Sequence, residues 1–400
     1  MNAPPRMLLV LAVAMAAGGA RAAAIRAERA DEGSFRIVVP GRFETTVSRR
    51  GGFATTWFDL AHDPEKKRNL APAGGGGLVE LKVAEPLGAT AWCARPADEV
   101  ELLETGPVRV RVRLAGPLSK FGAGREPHPS ARFELLYSLY ATGTAAGACT
   151  LSLDAPMRVR QVLLVLRSTG AWGPQGREPG RAEVHLAGEA GPRRPARYAG
   201  TESAFVLQWT DGPTYFADLL LAAYKGQYDG AQWGTGLLDR EYEAGLDLSP
   251  RWPGDELPAG THRIRFLLDA GTGVNSARIA GFHARAYRSP ARPALSRGKA
   301  HRSDPGDRDG DGFNEEEGCY VFHATPRGVA FTLHGLRTPR MSPAFKVHRW
   351  PGPAPEKIAV GGRPRVAGNH FNASARQGVL VLQLLETVQD DVEIVIPAPP

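Results

Sequence analysis

The sequence predicts an all-β protein, a multilayer antiparallel β-sandwich followed by a smaller C-terminal β-sandwich unit. Three observations predict it. Glycine and proline number 47 and 33 among 400 residues, so breakers interrupt any long helix of the bundle or coiled-coil kind. Apolar and polar residues alternate with a period of two in many short runs bounded by turn residues. A content of 42% hydrophobic and 23% charged residues belongs to a chain that builds a core, not to a disordered or collagen-like one.

The elements follow in order. Arg6, the apolar run 7–17 and the small residues up to Ala20-Arg21-Ala22 read as a secretory signal peptide over residues 1–22. Its apolar stretch is shorter than the roughly 18 residues that span a bilayer, so no membrane anchor is expected to be retained. The expected cleavage lies after Ala22 or Ala24, and the expected location is secreted or periplasmic. The main β domain is expected over 23–288, with strands near 34–39, 53–60, 78–83, 108–114, 132–140, 159–166, 204–209, 214–221 and 262–268. In Val108-Arg109-Val110-Arg111-Val112-Arg113-Leu114 the alternation is strict, so three valines and a leucine share one face and three arginines the other. Phe133, Leu135, Tyr137 and Leu139 share a face in the same way, whereas 162–166 is apolar on both faces and reads as an interior strand. Asn275-Ser276 caps a predicted short helix ending at Tyr287. An Arg/Pro/Ala-rich stretch then places a linker over 289–318. The strands near 319–323, 329–333, 344–348, 357–360, 379–384 and 392–396 form the C-terminal unit over 319–400.

The formal charge is +7, and it falls to +5 once Arg6 and Arg21 leave with the leader. The arginines are scattered singly or in pairs such as Arg49-Arg50, which excludes the clustered basic face that nucleic acid requires. A modestly basic exported chain suits an acidic polysaccharide, and coding bias is the other source of such a composition. Cys93, Cys149 and Cys319 are an odd set, so at most one intramolecular disulfide can form, and none sits in a catalytic motif.

Phe53-Ala54-Thr55-Thr56-Trp57-Phe58-Asp59-Leu60 with Arg68-Asn69-Leu70, and Gly106-Pro107-Val108-Arg109 followed by the strand around Tyr137 and Tyr140, resemble strand patterns of galactose-mutarotase-like supersandwich domains. Those domains occur in several glycoside hydrolases and polysaccharide lyases. The resemblance spans about residues 34–270. It implies a supersandwich-like main domain and a carbohydrate setting, and assigns no catalytic residue.

The sharpest local motif is Asp307-Arg308-Asp309-Gly310-Asp311-Gly312-Phe313-Asn314-Glu315-Glu316-Glu317-Gly318. Carboxylates at the first, third and fifth positions converge on one hard cation, Gly312 permits the sharp turn, and the Phe313 carbonyl offers a further oxygen. Calcium is the expected cofactor, in a structural role that stiffens the connection between the two β-units. Gly318 stands where an EF-hand carries its bidentate acid. The run is similar to the D-x-D-x-D-G loops of thrombospondin-type calcium repeats, which implies that Glu315 or Glu317 closes the shell. The alternative is a solvated acidic linker.

Other chemistry is thinly represented. The ten histidines show no H-E-x-x-H or H-x-H spacing, so a zinc site is not expected. There is no G-x-S-x-G elbow and no phosphate-binding glycine loop. Asp239 with Glu241, or Glu241 with Glu243, could serve glycoside hydrolysis, but close sequence neighbours are poor evidence for two acids that must flank a substrate, and a solvated turn accounts for them. Tyr224, Tyr228, Trp233 and Lys225 lie in a Gly-rich stretch whose flat rings and polar partners suit a glycan, or else anchor a long loop to the sheet. Three functional classes therefore stay open. The first is a polysaccharide-binding or accessory protein, the second a polysaccharide lyase using Tyr224, Tyr228, His262 or Arg263, and the third a structural interaction module. The expected partner is a polysaccharide or glycan.

Overall fold

The computed structural model describes residues 23–399 apart from 51, 62, 67–68, 70, 72–76, 87–90, 123–125, 169–180, 187–203, 211–215, 224–231, 241–242, 252–255, 272–285, 288–289, 308 and 337. The strand residues between 163 and 251, with 161 and 269–271, are described by backbone alone. Strands dominate, and the sheets carry the fold class that the alternation predicts.

A thirteen-stranded antiparallel sheet forms the main unit. From its centre outward on one side run Arg109–Lys120, Pro127–Tyr140, Thr144–Leu153 and Gly260–Gly271. On the other side Ala91–Cys93 and Val79–Ala84 lead to Gln161–Ser168. Glu99–Thr105 also pairs with Arg109–Lys120. Gln161–Ser168 is flanked by Val79–Ala84 and Glu243–Arg251, the interior position that its two-sided apolar pattern predicts. A four-stranded sheet, Arg26–Asp31, Ser34–Val39, Phe43–Ser48 and Thr56–Asp59, covers one face.

Between the two sheets lies the main core. Val110, Val112 and Leu114 enter it from one strand and Phe133, Leu135, Tyr137 and Leu139 from the next, against Ile37, Val39, Val47 and Trp57. The Phe53 ring meets Tyr137 edge-on at 4.4 Å, and Phe43 stacks on Trp57 at 4.8 Å. Each such side chain contributes roughly 1.5–3 kcal/mol of burial, which fixes the register. A slip by one residue would drive Arg109, Arg111 and Arg113 into the core.

The sheet's other face carries a row of cations interleaved with Glu80, Glu99, Glu101 and Glu134, which pair with Lys82 and Arg113. Alternation places Lys82, Arg109, Arg111, Arg113, Arg263 and Arg265 there. The C-terminal unit packs over part of that face. It has a five-stranded sheet containing Gly328–Leu333 and Val392–Pro397, and a six-stranded sheet containing Cys319–His323, Ala344–His348 and Val379–Leu384. Their shared core holds Phe322, Phe331, Phe345, Phe371 and Ile394, and takes in Ala146 and Leu267 from the large sheet. Cys319–His323 and Ala344–His348 run parallel, with His323 opposite His348.

The expected linker over 289–318 is corrected in part. Ala294–Arg297 pairs with Gly328–Leu333, Lys299–Ala300 and Phe313–Asn314 pair with Cys319–His323, and all three belong to the C-terminal sheets. Their short, half-exposed pattern hides them in an Arg/Pro/Ala-rich stretch. The signal peptide over 1–22 lies outside the described residues, as does most of the expected helix, of which residues 286–287 are helical. Cys93, Cys149 and Cys319 are free and buried on separate strands.

Candidate functional site

The acidic loop is a succession of tight turns closed by its own aspartates. Asp307 accepts the Gly310 N–H on Oδ1 at 2.9 Å and the Gly312 N–H on Oδ2 at 2.8 Å. Asp309 accepts from the Asp311 N–H at 3.2 Å, and Asp311 from the Phe313 N–H at 2.8 Å. Gly310 and Gly312 take φ of 70° and 92°, left-handed values that a side chain would strain. One carboxylate oxygen from each of Asp307, Asp309 and Asp311 lies within 4.8 Å of the others. Burial pushes the Asp307 and Asp311 carboxyls up, Asp311 to about 6, and repulsion from the neighbouring aspartates adds to the rise at each. A divalent cation would relieve that repulsion.

Phe313 begins the strand at 313–314 with its ring buried, and the Gly312 carbonyl accepts from the Val321 N–H at 2.8 Å. The three glutamates that follow leave the loop. Glu315 is buried, its N–H donates to the Gly306 carbonyl at 3.1 Å, and its own carbonyl accepts from the Tyr287 hydroxyl. Glu316 Oε1 meets Arg263 Nη1 at 2.9 Å and Arg265 Nη2 at 3.0 Å. Glu317 is committed to cations on both units: Arg109 Nη1 and Lys346 Nζ at 2.7 Å each, and Arg111 Nη2 at 3.6 Å. The Tyr140 hydroxyl donates to its carbonyl. Burial pushes the Glu317 carboxyl up, but Arg109, then Arg111 and Lys346, outweigh it and hold the pKa at about 2. The shell-closing role that sequence offered Glu317 therefore gives way to a clasp between the loop and the cationic face.

Lys346 carries the network onward. Its Nζ lies 3.1 Å from Asp304 Oδ2, and the same oxygen lies 3.5 Å from His348 Nε2. Asp304 also accepts from Asn314 Nδ2 and from the Gly306 N–H at 3.3 Å. Burial raises its pKa, but His348 and Lys346 outweigh that and hold it well below the usual carboxylate range. His301 and His323 crowd the same place, with ring centroids 4.2 Å apart, and His348 lies 4.9 and 5.7 Å from them. Spacing along the chain gave no sign of this cluster. The parallel pairing that sets His323 beside His348 assembles it.

A second feature lies on the cationic face of the large sheet. Phe121, at the end of Arg109–Lys120, is 50% exposed, with Lys82 Nζ 5.1 Å and Arg95 Cζ 5.6 Å from its ring centroid. Its N–H donates to the Ala91 carbonyl at 2.7 Å. The next residue, Trp92, meets His128 edge-on at 4.5 Å. Beneath the two cations, Glu80 is fully buried and pairs with Arg95 at 2.8 Å.

Tyr224, Lys225 and Tyr228 lie outside the described residues, as do the side chains of Trp233 and of the Asp239, Glu241 and Glu243 group. Of the lyase candidates, His262 is buried with Nε2 2.8 Å from the Pro258 carbonyl oxygen, and Arg263 is held by Glu316. A cleft between the units, lined by Tyr140, Tyr287, Tyr320, Met341 and Gln383, offers about 50 Å³, below the roughly 300 Å³ at which small-molecule pockets begin.

No family model matches the chain, and no curated protein matches it. Solved structures do, at low identity. A heparan sulfate lyase HepC from Pedobacter heparinus is 10% identical with a TM-score of 0.34, covering 71% of this chain and 38% of its own. An α-mannosidase from Enterococcus faecalis is 8% identical with a TM-score of 0.38, covering 66% and 31%. A putative aldose 1-epimerase from Klebsiella pneumoniae is 9% identical with a TM-score of 0.37, covering 64% and 84%. The chain spans well under half of the lyase and mannosidase chains.

Proposed function

We propose that the protein is exported and binds a polysaccharide, an acidic one in preference, through the cationic face of its large sheet, with calcium in the 307–311 loop as a structural ion. The observation that carries the binding reading is the solvent-facing Phe121 ring. Among the described residues the other exposed large apolar side chains, Leu103, Leu336 and Val366, are aliphatic, and a half-exposed ring costs solvation that a sugar's C–H face would recover by stacking. Lys82 and Arg95 flank the ring and share one buried carboxylate, Glu80, which leaves one net positive charge beside the ring to draw a uronate or sulfate. Tyr224, Lys225, Tyr228 and Trp233 are a second aromatic set for the same ligand, on sequence grounds. The structural-calcium reading is supported by the convergence of three carboxylates in a glycine-turned loop, followed at once by the glutamates that clasp the cationic face.

Affinity electrophoresis in gels containing a polyuronate, a sulfated glycosaminoglycan or a neutral glucan tests the binding reading. The acidic gels should retard the wild-type chain most. Phe121→Ala should weaken retardation by about tenfold, the worth of one stacked ring of about 1–1.5 kcal/mol. No retardation in any gel, or equal retardation of the variant, would overturn the Phe121 platform. A rise in absorbance from unsaturated uronate would replace binding with lyase chemistry.

A further inference from the structure

We propose that His301, Asp304 and His348, with His323 beside them, form a binding site for a divalent transition metal, zinc in the first place, separate from the aspartate loop. One ligand atom from each of His301, Asp304 and His348 lies within 4.8 Å of the others. Tetrahedral zinc, with bonds of roughly 2.0–2.1 Å, sets its ligands about 3.3 Å apart. Small side-chain rotations close that gap. Asp304 sits in the turn after Lys299–Ala300, where the Asp307 N–H donates to its carbonyl at 2.9 Å, while His323 and His348 end two paired parallel strands. Three segments of backbone thus fix the donors, two of them paired strands and the third the turn that carries His301 and Asp304.

The donor chemistry selects the ion. Two or three imidazole nitrogens and one carboxylate suit zinc and its neighbours, whereas calcium and magnesium take oxygen shells such as that of Asp307, Asp309 and Asp311. His323 Nδ1 is buried without a hydrogen-bond partner, and His348 Nε2 has Asp304 Oδ2 at a long 3.5 Å, costs that ligation would remove. The Ser303 hydroxyl lies 3.3 Å from His301 Nδ1, which leaves Nε2 for the ion and orients the ring. Asn314 and the Gly306 N–H hold Asp304 Oδ1, and the competitor for Oδ2 is Lys346. It also bonds Glu317 Oε1 at 2.7 Å, so it keeps an anion when Asp304 turns to the metal. The site therefore sits one residue away from the clasp, and a bound ion would brace the Asp304–Lys346–Glu317 chain.

The test uses the full mature chain stripped of metal, with cobalt(II) as a spectroscopic probe. One equivalent should give visible bands of a four-coordinate nitrogen/oxygen site, and one equivalent of zinc should bleach them. His348→Ala and His301→Gln should weaken binding by more than about 100-fold, beyond the 10–100-fold that outer partners cost, and Asp309→Ala should leave the bands unchanged. His301 is half-exposed, so its variant keeps the proposal testable should His348→Ala fail to fold. Absence of bands in the wild type, bands unchanged in a folded His301→Gln chain, or bands lost in Asp309→Ala alone would overturn the site.

Discussion

Replacing Glu317 by glutamine removes the anion at the centre of the clasp while keeping its volume. The Glu317 side chain is 6% exposed and that of Arg109 2%, so solvent does not screen the pair. Arg109 keeps Glu104 at 2.9 Å and Lys346 keeps Asp304 at 3.1 Å, which puts the loss at the lower end of the roughly 3–5 kcal/mol for orphaning a buried charge. Linkage gives the same size. A carboxyl with pKa about 2 in the folded chain and about 4.3 when unfolded stabilises the fold by about 3 kcal/mol at neutral pH. Because the folded pKa is the lower one, this stability is complete above about 4.3 and is lost as pH falls toward 2. Urea unfolding followed by tryptophan fluorescence should therefore show Glu317→Gln about 3 kcal/mol less stable at pH 7. The gap should narrow below pH about 4.3 and close near pH 2. A gap under about 1 kcal/mol at pH 7, or one that does not narrow on acidification, would show that an ionised Glu317 does not hold the clasp.

Three further outcomes are expected. Calcium should bind the mature chain with measurable heat in preference to magnesium, and Asp309→Ala should abolish that heat in isothermal titration; unchanged heat would remove the ion from this loop. Gly147→Ala should cost about 1–3 kcal/mol in the same urea assay, since a Cβ there would sit 2.6 Å from the Leu136 carbonyl oxygen and 2.7 Å from Tyr137 Cβ. Cys93, Cys149 and Cys319, whose thiols burial pushes up to about 12, should resist iodoacetamide in the native protein and all react once it is unfolded, as mass spectrometry can count.

The sequence is most legible where one strand face is buried and the other is polar. Arg109–Lys120 and Pro127–Tyr140 show their Val/Arg and Leu/Tyr alternation because one side meets the main core and the other the charged face. The C-terminal strands Cys319–His323, Ala344–His348 and Val379–Leu384 fall at the residues their apolar runs predict. Thr144–Leu153 is the opposite case. Its centre, Ala145-Ala146-Gly147-Ala148, has weak strand propensity, yet it is buried on both faces, and Gly147 leaves room for the Phe266 ring. Within the acidic motif, spacing marks the three aspartates, but it cannot show that Glu316 and Glu317 reach arginines more than 50 residues away. The histidine cluster was hidden for the same reason. A parallel pairing between strands that are not sequence neighbours leaves no periodic trace.

Polysaccharide binding is measured on a glycan array run with the full mature chain at physiological salt. The chain should be retained on acidic polysaccharides, less on neutral ones, and Phe121→Ala should lose most of the signal. A wild-type chain that folds, keeps its calcium and is retained on no glycan would contradict polysaccharide binding.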